Sequence, residues 1–285
     1  MLACLLLLAA PAVRGEPAAG TAAGAPDILV LGDSQLTFGA GAAFVDLLTG
    51  LAGRCGIDAG ATVGVIGVRS SALTSWTGRS RQAKAAICDK DRTWMVNAAV
   101  YGTLSQGSNP YVQIGDDRRG QFRFCSAGSS PLQAVFAGGY YRPRLVILFM
   151  LGNAADRWAA SPAAAAQDAR AMEADLPPDL PCIFMTSAPP YGARDVRLRQ
   201  RAQDNLARAM AETGNRCAFV AGFTPATVAE NQGNAANFRR NSAGRVKDGF
   251  HPTETAARRF LSLRRTALCR AIADQLAAFG PPRAH

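Results

Sequence analysis

Unbroken apolar runs alternate along this chain with segments whose apolar residues recur every three or four positions. The first run, Asp27 to Leu31, holds Ile-Leu-Val-Leu and stops at Gly32. A run without polar alternation is what a strand buried on both faces of a parallel sheet requires. Gly41 to Ala52 then sets Phe44, Leu47, Leu48 and Leu51 at helical spacing, closed by Gly53. Further strands are predicted at Ala61 to Val68, Leu145 to Leu151, Cys182 to Thr186 and Cys217 to Val220, and further helices near Pro162 to Ala174, Asp195 to Glu212 and Thr253 to Phe279. Strands alternating with helices predict an α/β fold whose mostly parallel five-stranded sheet is covered on both faces.

Residues 76–141 depart from that alternation. Tyr111 to Gly115 and Gln121 to Cys125 read as two strands joined by Asp116-Asp117-Arg118-Arg119-Gly120, and Trp94 to Tyr101 as a further strand. This stretch is expected to be a β-rich insertion on a domain spanning 27–285. Ahead of the domain, Leu2 to Ala12 is apolar and uncharged but too short to span a bilayer, so residues 1–15 read as an export signal and 16–26 as a flexible leader. The apolar run follows Cys4 instead of preceding it, which argues against a lipoprotein signal.

Export changes the meaning of the cysteines. Cys55, Cys88, Cys125, Cys182, Cys217 and Cys269 lie beyond the signal, an even set that predicts disulfides in a secreted or periplasmic protein. Cys182 and Cys217 start consecutive predicted strands and are the first pair expected. No Cys-x-x-Cys occurs, so neither a metal nor another cofactor is expected. The net charge of +10 is carried almost wholly by arginine, without a nucleic-acid-binding module. It leaves two readings open, a bland basic surface or attraction to an anionic polymer.

The chemistry concentrates where the strands end. Parallel sheets build sites at the carboxyl ends of their strands. Ser34 follows the first strand, Arg69-Ser70 the second and Asn153 the third, while His251 is expected to open the last helix. The chain has two histidines, and the other, His285, is its last residue. If a hydroxyl is activated by an imidazole held by a carboxylate, Ser34 is the nucleophile, His251 the base and Asp248 the orienting group. Asp248 and His251 are three residues apart, a separation one tight turn can close. Each residue also has a structural reading: Ser34 as a turn serine, Asn153 as a helix N-cap, Asp33 as a support of the turn.

Gly32-Asp33-Ser34 after a buried first strand, Gly152-Asn153 after the third and Asp248-x-x-His251 near the end resemble, in this order, the SGNH or GDSL-type hydrolases. The resemblance covers residues 27 to about 260. It implies a flavodoxin-like three-layer sandwich and an exported serine esterase. The substrate it implies is a small acyl ester, such as acetyl on a polysaccharide or cell-wall glycan; the scattered basic residues and the lack of a long apolar segment after residue 15 separately predict no nucleic-acid partner and no stable membrane insertion. An acyltransferase or a non-hydrolytic polysaccharide-binding module on the same fold is the alternative. It also implies an oxyanion hole made of the Ser34 N–H, a backbone N–H from the Gly67 to Ser70 turn (Ser70 by count) and the Asn153 amide. Three departures stand out. Gln35 replaces the usual Leu and is expected to tune packing. Ser70 stands where a Gly is usual, and Gly152-Asn153-Ala154-Ala155-Asp156 lacks the usual spacer and displaces the Asp.

Overall fold

The computed structural model describes residues 26–50, 55–57, 61–92, 97–101, 128–137 and 142–279. The predicted signal, most of the leader and the two predicted strands between 111 and 125 lie outside them.

The described strands are β1 (Ile28–Gly32), β2 (Val63–Gly67), β3 (Asn97–Tyr101), β4 (Leu145–Phe149), β5 (Cys182–Met185), β6 (Ala218–Val220), β7 (Phe238–Arg240) and β8 (Val246–Pro252). The helices are α1 (Gly41–Thr49), α2 (Leu73–Thr77), α3 (Ala85–Arg92), α4 (Pro131–Phe136), α5 (Ala155–Ala160), α6 (Pro162–Asp175), α7 (Ala193–Glu212), α8 (Pro225–Asn231) and α9 (Glu254–Phe279). Ser130 and Ser161 cap α4 and α6, each followed by a proline in the first turn, which satisfies donors that a helix start leaves open.

The main sheet runs β3-β2-β1-β4-β5-β6. The five predicted strands are mutually parallel, and β3, within the stretch expected at Trp94 to Tyr101, adds an antiparallel edge beside β2. Without that edge the order is flavodoxin-like, and it reverses between β1 and β4, the place where such sheets open a crevice. Alternate residues of β1 explain the three layers. Leu29 and Leu31 face a core shared with α2, α4, α5, α6 and α7, whereas Ile28 and Val30 face one shared with α1 and α9. Every residue of β4 is fully buried, the physical reason its run is wholly apolar.

A separate antiparallel pair, β7 with β8, lies between α8 and α9. It corrects one expectation: His251 does not open the last helix but sits on β8, and α9 starts at Glu254 with the Thr253 hydroxyl accepting from the Ala256 N–H. Disulfides join Cys182 to Cys217, the pair expected first, and Cys55 to Cys269, which ties the loop after α1 to α9. No helix among the described residues is long and apolar enough to cross a membrane.

Candidate active site

Ser34 owes its position to the tight exit of β1. A Cβ on Gly32 would lie 2.1 Å from the Phe149 carbonyl oxygen, so only glycine lets β1 lie this close to β4 as it turns. Asp33 then turns inward and is buried. Its Oδ1 accepts from the Gln35 N–H at 2.9 Å and its Oδ2 from the Leu151 N–H at 3.4 Å. Burial pushes its carboxyl above the ordinary range, against the pull of the Gln35 N–H, the Arg199 charge and the Leu151 N–H. Ser34 opens the helical turn that follows, so its N–H belongs to the first-turn donors that no helix carbonyl can reach.

His251 comes from the other end of the chain. Its Nε2 is 2.7 Å from the Ser34 Oγ, and its Nδ1 is 2.7 Å from Asp248 Oδ2. The second carboxylate oxygen, Oδ1, accepts from the Phe250 and His251 N–H groups at 3.0 and 3.2 Å, which closes the Asp-x-x-His turn. Burial alone would raise the Asp248 carboxyl; the Phe250 N–H and the imidazole outweigh it and hold the group below the ordinary carboxylate range. An ionised carboxylate can only accept, so Nδ1 carries the ring proton and Nε2 presents its lone pair to the Ser34 hydroxyl. Phe38 packs on the imidazole with ring centroids 4.3 Å apart.

The sequence treats Gln35 as packing, yet this buried residue ties three segments together. Its Nε2 donates to the Ala188 and Phe250 carbonyls at 3.1 and 3.0 Å, and its Oε1 accepts from the Ala188 N–H at 2.9 Å. The turn bearing Ser34 is thereby fastened to the strand bearing His251. A second approach lies at Gly39, where φ is +133° and a Cβ would meet the Glu254 Cα at 2.8 Å. The helix after Ser34 kinks there and lies against the start of α9.

Ser34, Ser70, Asn153 and His251 all line one cleft of about 670 Å³. Gly67 ends β2 beneath Leu36 and Thr37 and is absent from the cleft wall. Ser70 has φ +64°, so the turn does adopt the left-handed conformation for which glycine is the usual residue. Its N–H has no acceptor among the described residues. The Asn153 Nδ2 donates to the Ser71 carbonyl at 2.8 Å. The side chain therefore holds the Ser70 turn and does not cap α5. Asp156, the displaced acid, lines the cleft. Trp76 and Trp158 are fully buried core residues, with their indole N–H groups donating to Ser71 and Asp168.

Two residues that the sequence reading passed over complete the wall. Phe250 is 44% exposed, and the Arg199 guanidinium lies over its ring at 4.9 Å. Arg199 had a readable signal: it occupies the buried stripe of α7 between Val196 and Ala202.

No family model and no curated protein matches the chain. Among solved structures it is similar to a DUF4886 family protein from Bacteroides uniformis, at 9% identity and a TM-score of 0.49, covering 90% of this chain and 86% of that one. It is similar also to the native M. smegmatis aryl esterase, at 13% identity and a TM-score of 0.42, covering 87% and 99%. A third is the C-terminal catalytic domain of Streptococcus pneumoniae peptidoglycan O-acetyltransferase A, at 13% identity and a TM-score of 0.37, covering 90% and 94%. At these values the function has to be argued from the site itself.

Proposed function

We propose that this chain is an exported serine esterase of the SGNH type that removes small acyl groups, acetyl foremost, from an ester such as an acylated glycan. One observation carries the reading: hydroxyl, imidazole and carboxylate stand in a relay of two 2.7 Å contacts although Ser34 and His251 are 217 residues apart. In this reading His251 Nε2 takes the Ser34 proton as Oγ attacks the acyl carbonyl, forming the new C–O bond. The protonated ring then returns that proton to the leaving alcohol, and water repeats the sequence on the acyl-enzyme. Asp248 fixes the tautomer and steadies the imidazolium. The Ser34 and Ser70 N–H groups and the Asn153 amide serve as donors to the oxyanion, and each such donor is worth about 100- to 1000-fold in turnover. No step in this sequence calls on a metal or cofactor. Disulfides among the described residues fit an oxidising compartment outside the cytosol.

The test is release of 4-nitrophenol from its acetate by the mature protein, with Ser34→Ala as the control. A parallel digest should locate a serine-directed sulfonyl fluoride on the peptide that contains Ser34. Release that persists in the Ser34→Ala chain would defeat the nucleophile assignment. Acyl transfer to an added glycan faster than transfer to water would make the protein an acyltransferase instead of a hydrolase.

A further inference from the structure

Arg199 is 9% exposed, lines the cleft that holds Ser34, and makes no hydrogen bond or ion pair among the described residues. A guanidinium carries five N–H donors in a rigid fork, and here they open onto the cleft with no acceptor from the described residues. Its acidic neighbours are Asp33, Asp195 and Asp156, which act on it only through space. Asp33 already receives two backbone N–H groups, while Asp156 is an exposed and Asp195 a half-buried residue of the cleft wall. The guanidinium is held flat. Its carbon stacks over the Phe250 ring at 4.9 Å, and its Nη2 lies 3.2 Å from where a Cβ on Gly152 would be. That puts the fork between the residue before Asn153 and the residue before His251, within the reacting wall of the cleft.

We infer that Arg199 is the anchor for a carboxylate carried by the ester substrate, received by the guanidinium fork between Gly152 and Phe250. The inference rests on the proposed esterase reading and narrows its substrate to an acidic ester. A planar fork suits a carboxylate because two parallel N–H donors meet its two oxygens. The charge could sit on the acyl half, as in a monoester of a dicarboxylic acid, or on the alcohol half, as in an acetylated uronic acid.

Binding to the Ser34→Ala chain separates the inference from catalysis. Monobenzyl glutarate against its methyl ester probes a charge on the acyl half, and 4-acetoxybenzoate against its methyl ester probes the alcohol half, each by calorimetry. The charged member of one pair is expected to bind about 10- to 100-fold more tightly, the range of a hydrogen bond to a charged group. That preference should vanish when Arg199→Met is added, and fall several-fold with Arg199→Lys, which keeps the charge but loses the fork. Should the methionine variant fail to fold, the lysine variant decides. Equal binding of both members in both pairs overturns the inference. So does a preference that survives replacement of Arg199, which would belong to another basic residue such as Arg69 or Arg194. Loss of the esterase reading would appear instead as turnover independent of Ser34, or as none, in the intact protein.

Discussion

Ser34 leaves a strand whose five residues are all buried in the sheet, whereas His251 is carried by a hairpin strand that is buried only at its last residue, Pro252. The serine is positioned by packing on both faces of a sheet. The imidazole is positioned by a few polar ties: Gln35 to the Phe250 carbonyl, the Tyr191 N–H to the Gly249 carbonyl at 2.8 Å, and the Asp248 turn. Apolar packing is spread over many contacts and gives way gradually. A polar tie is lost whole when one partner goes. Damage near the serine should therefore show first as lost stability, and damage near the histidine as lost rate.

The sharpest break of this contrast comes from removing either reacting group. Ser34→Ala and His251→Ala should each lower kcat/KM by about 10⁵- to 10⁶-fold, and the double variant by little more, because the two act as one unit. Additive losses in ester turnover would mean they do not. Asp248→Asn keeps the shape but no longer requires the proton on Nδ1, and about a 10⁴-fold fall in kcat is expected in the same assay. Gln35→Leu tests the tie between the walls. It should cost about 1–3 kcal/mol in thermal unfolding, since the Ala188 and Phe250 groups lose their partner, and about 10- to 100-fold in kcat through displacement of the imidazole. A melting loss with unchanged kcat would show that the hairpin holds His251 without this tie.

Smaller effects sharpen the comparison. Ser70→Gly should raise stability by about 0.5–1 kcal/mol, read as a higher Tm, because glycine adopts the left-handed conformation without penalty. The two carboxyls should also respond oppositely to pH. Asp33, raised by burial, binds its proton more tightly folded than unfolded, so its contribution improves as pH falls from its raised value toward the ordinary carboxylate range. Asp248 is depressed, so its contribution is complete above the ordinary carboxylate value and is lost as pH falls through its folded one. Thermal unfolding of Asp33→Asn above the ordinary carboxylate value, and of Asp248→Asn below it, should give differences from the parent of opposite slope.

Much of this molecule was legible in its residues, for reasons the structure makes plain. Strands buried on both faces must be apolar throughout, so β1, β2, β4 and β5 announce themselves. The scarcity of histidine left one imidazole inside the domain to pair with Ser34. The hairpin carrying that imidazole was not legible, because Arg239, Arg240 and Lys247 face solvent and break any apolar alternation. Gln35 was read as packing because its partners, Ala188 and Phe250, are 153 and 215 residues away. The left-handed turn at Ser70 follows from local geometry that no side-chain pattern encodes. Arg199 was within reach, since a charge in the buried stripe of a helix is an anomaly that asks for a partner.

The bond between Cys55 and Cys269 encloses 214 residues of sequence separation, with Ser34 before it and His251 within it. A single proteolytic nick between Cys55 and His251 would leave two fragments still joined, one holding the alcohol and the other the ring. Such a cleaved molecule would migrate as one species until reductant is added. In a protease-rich milieu it could therefore stay assembled after its backbone had been severed.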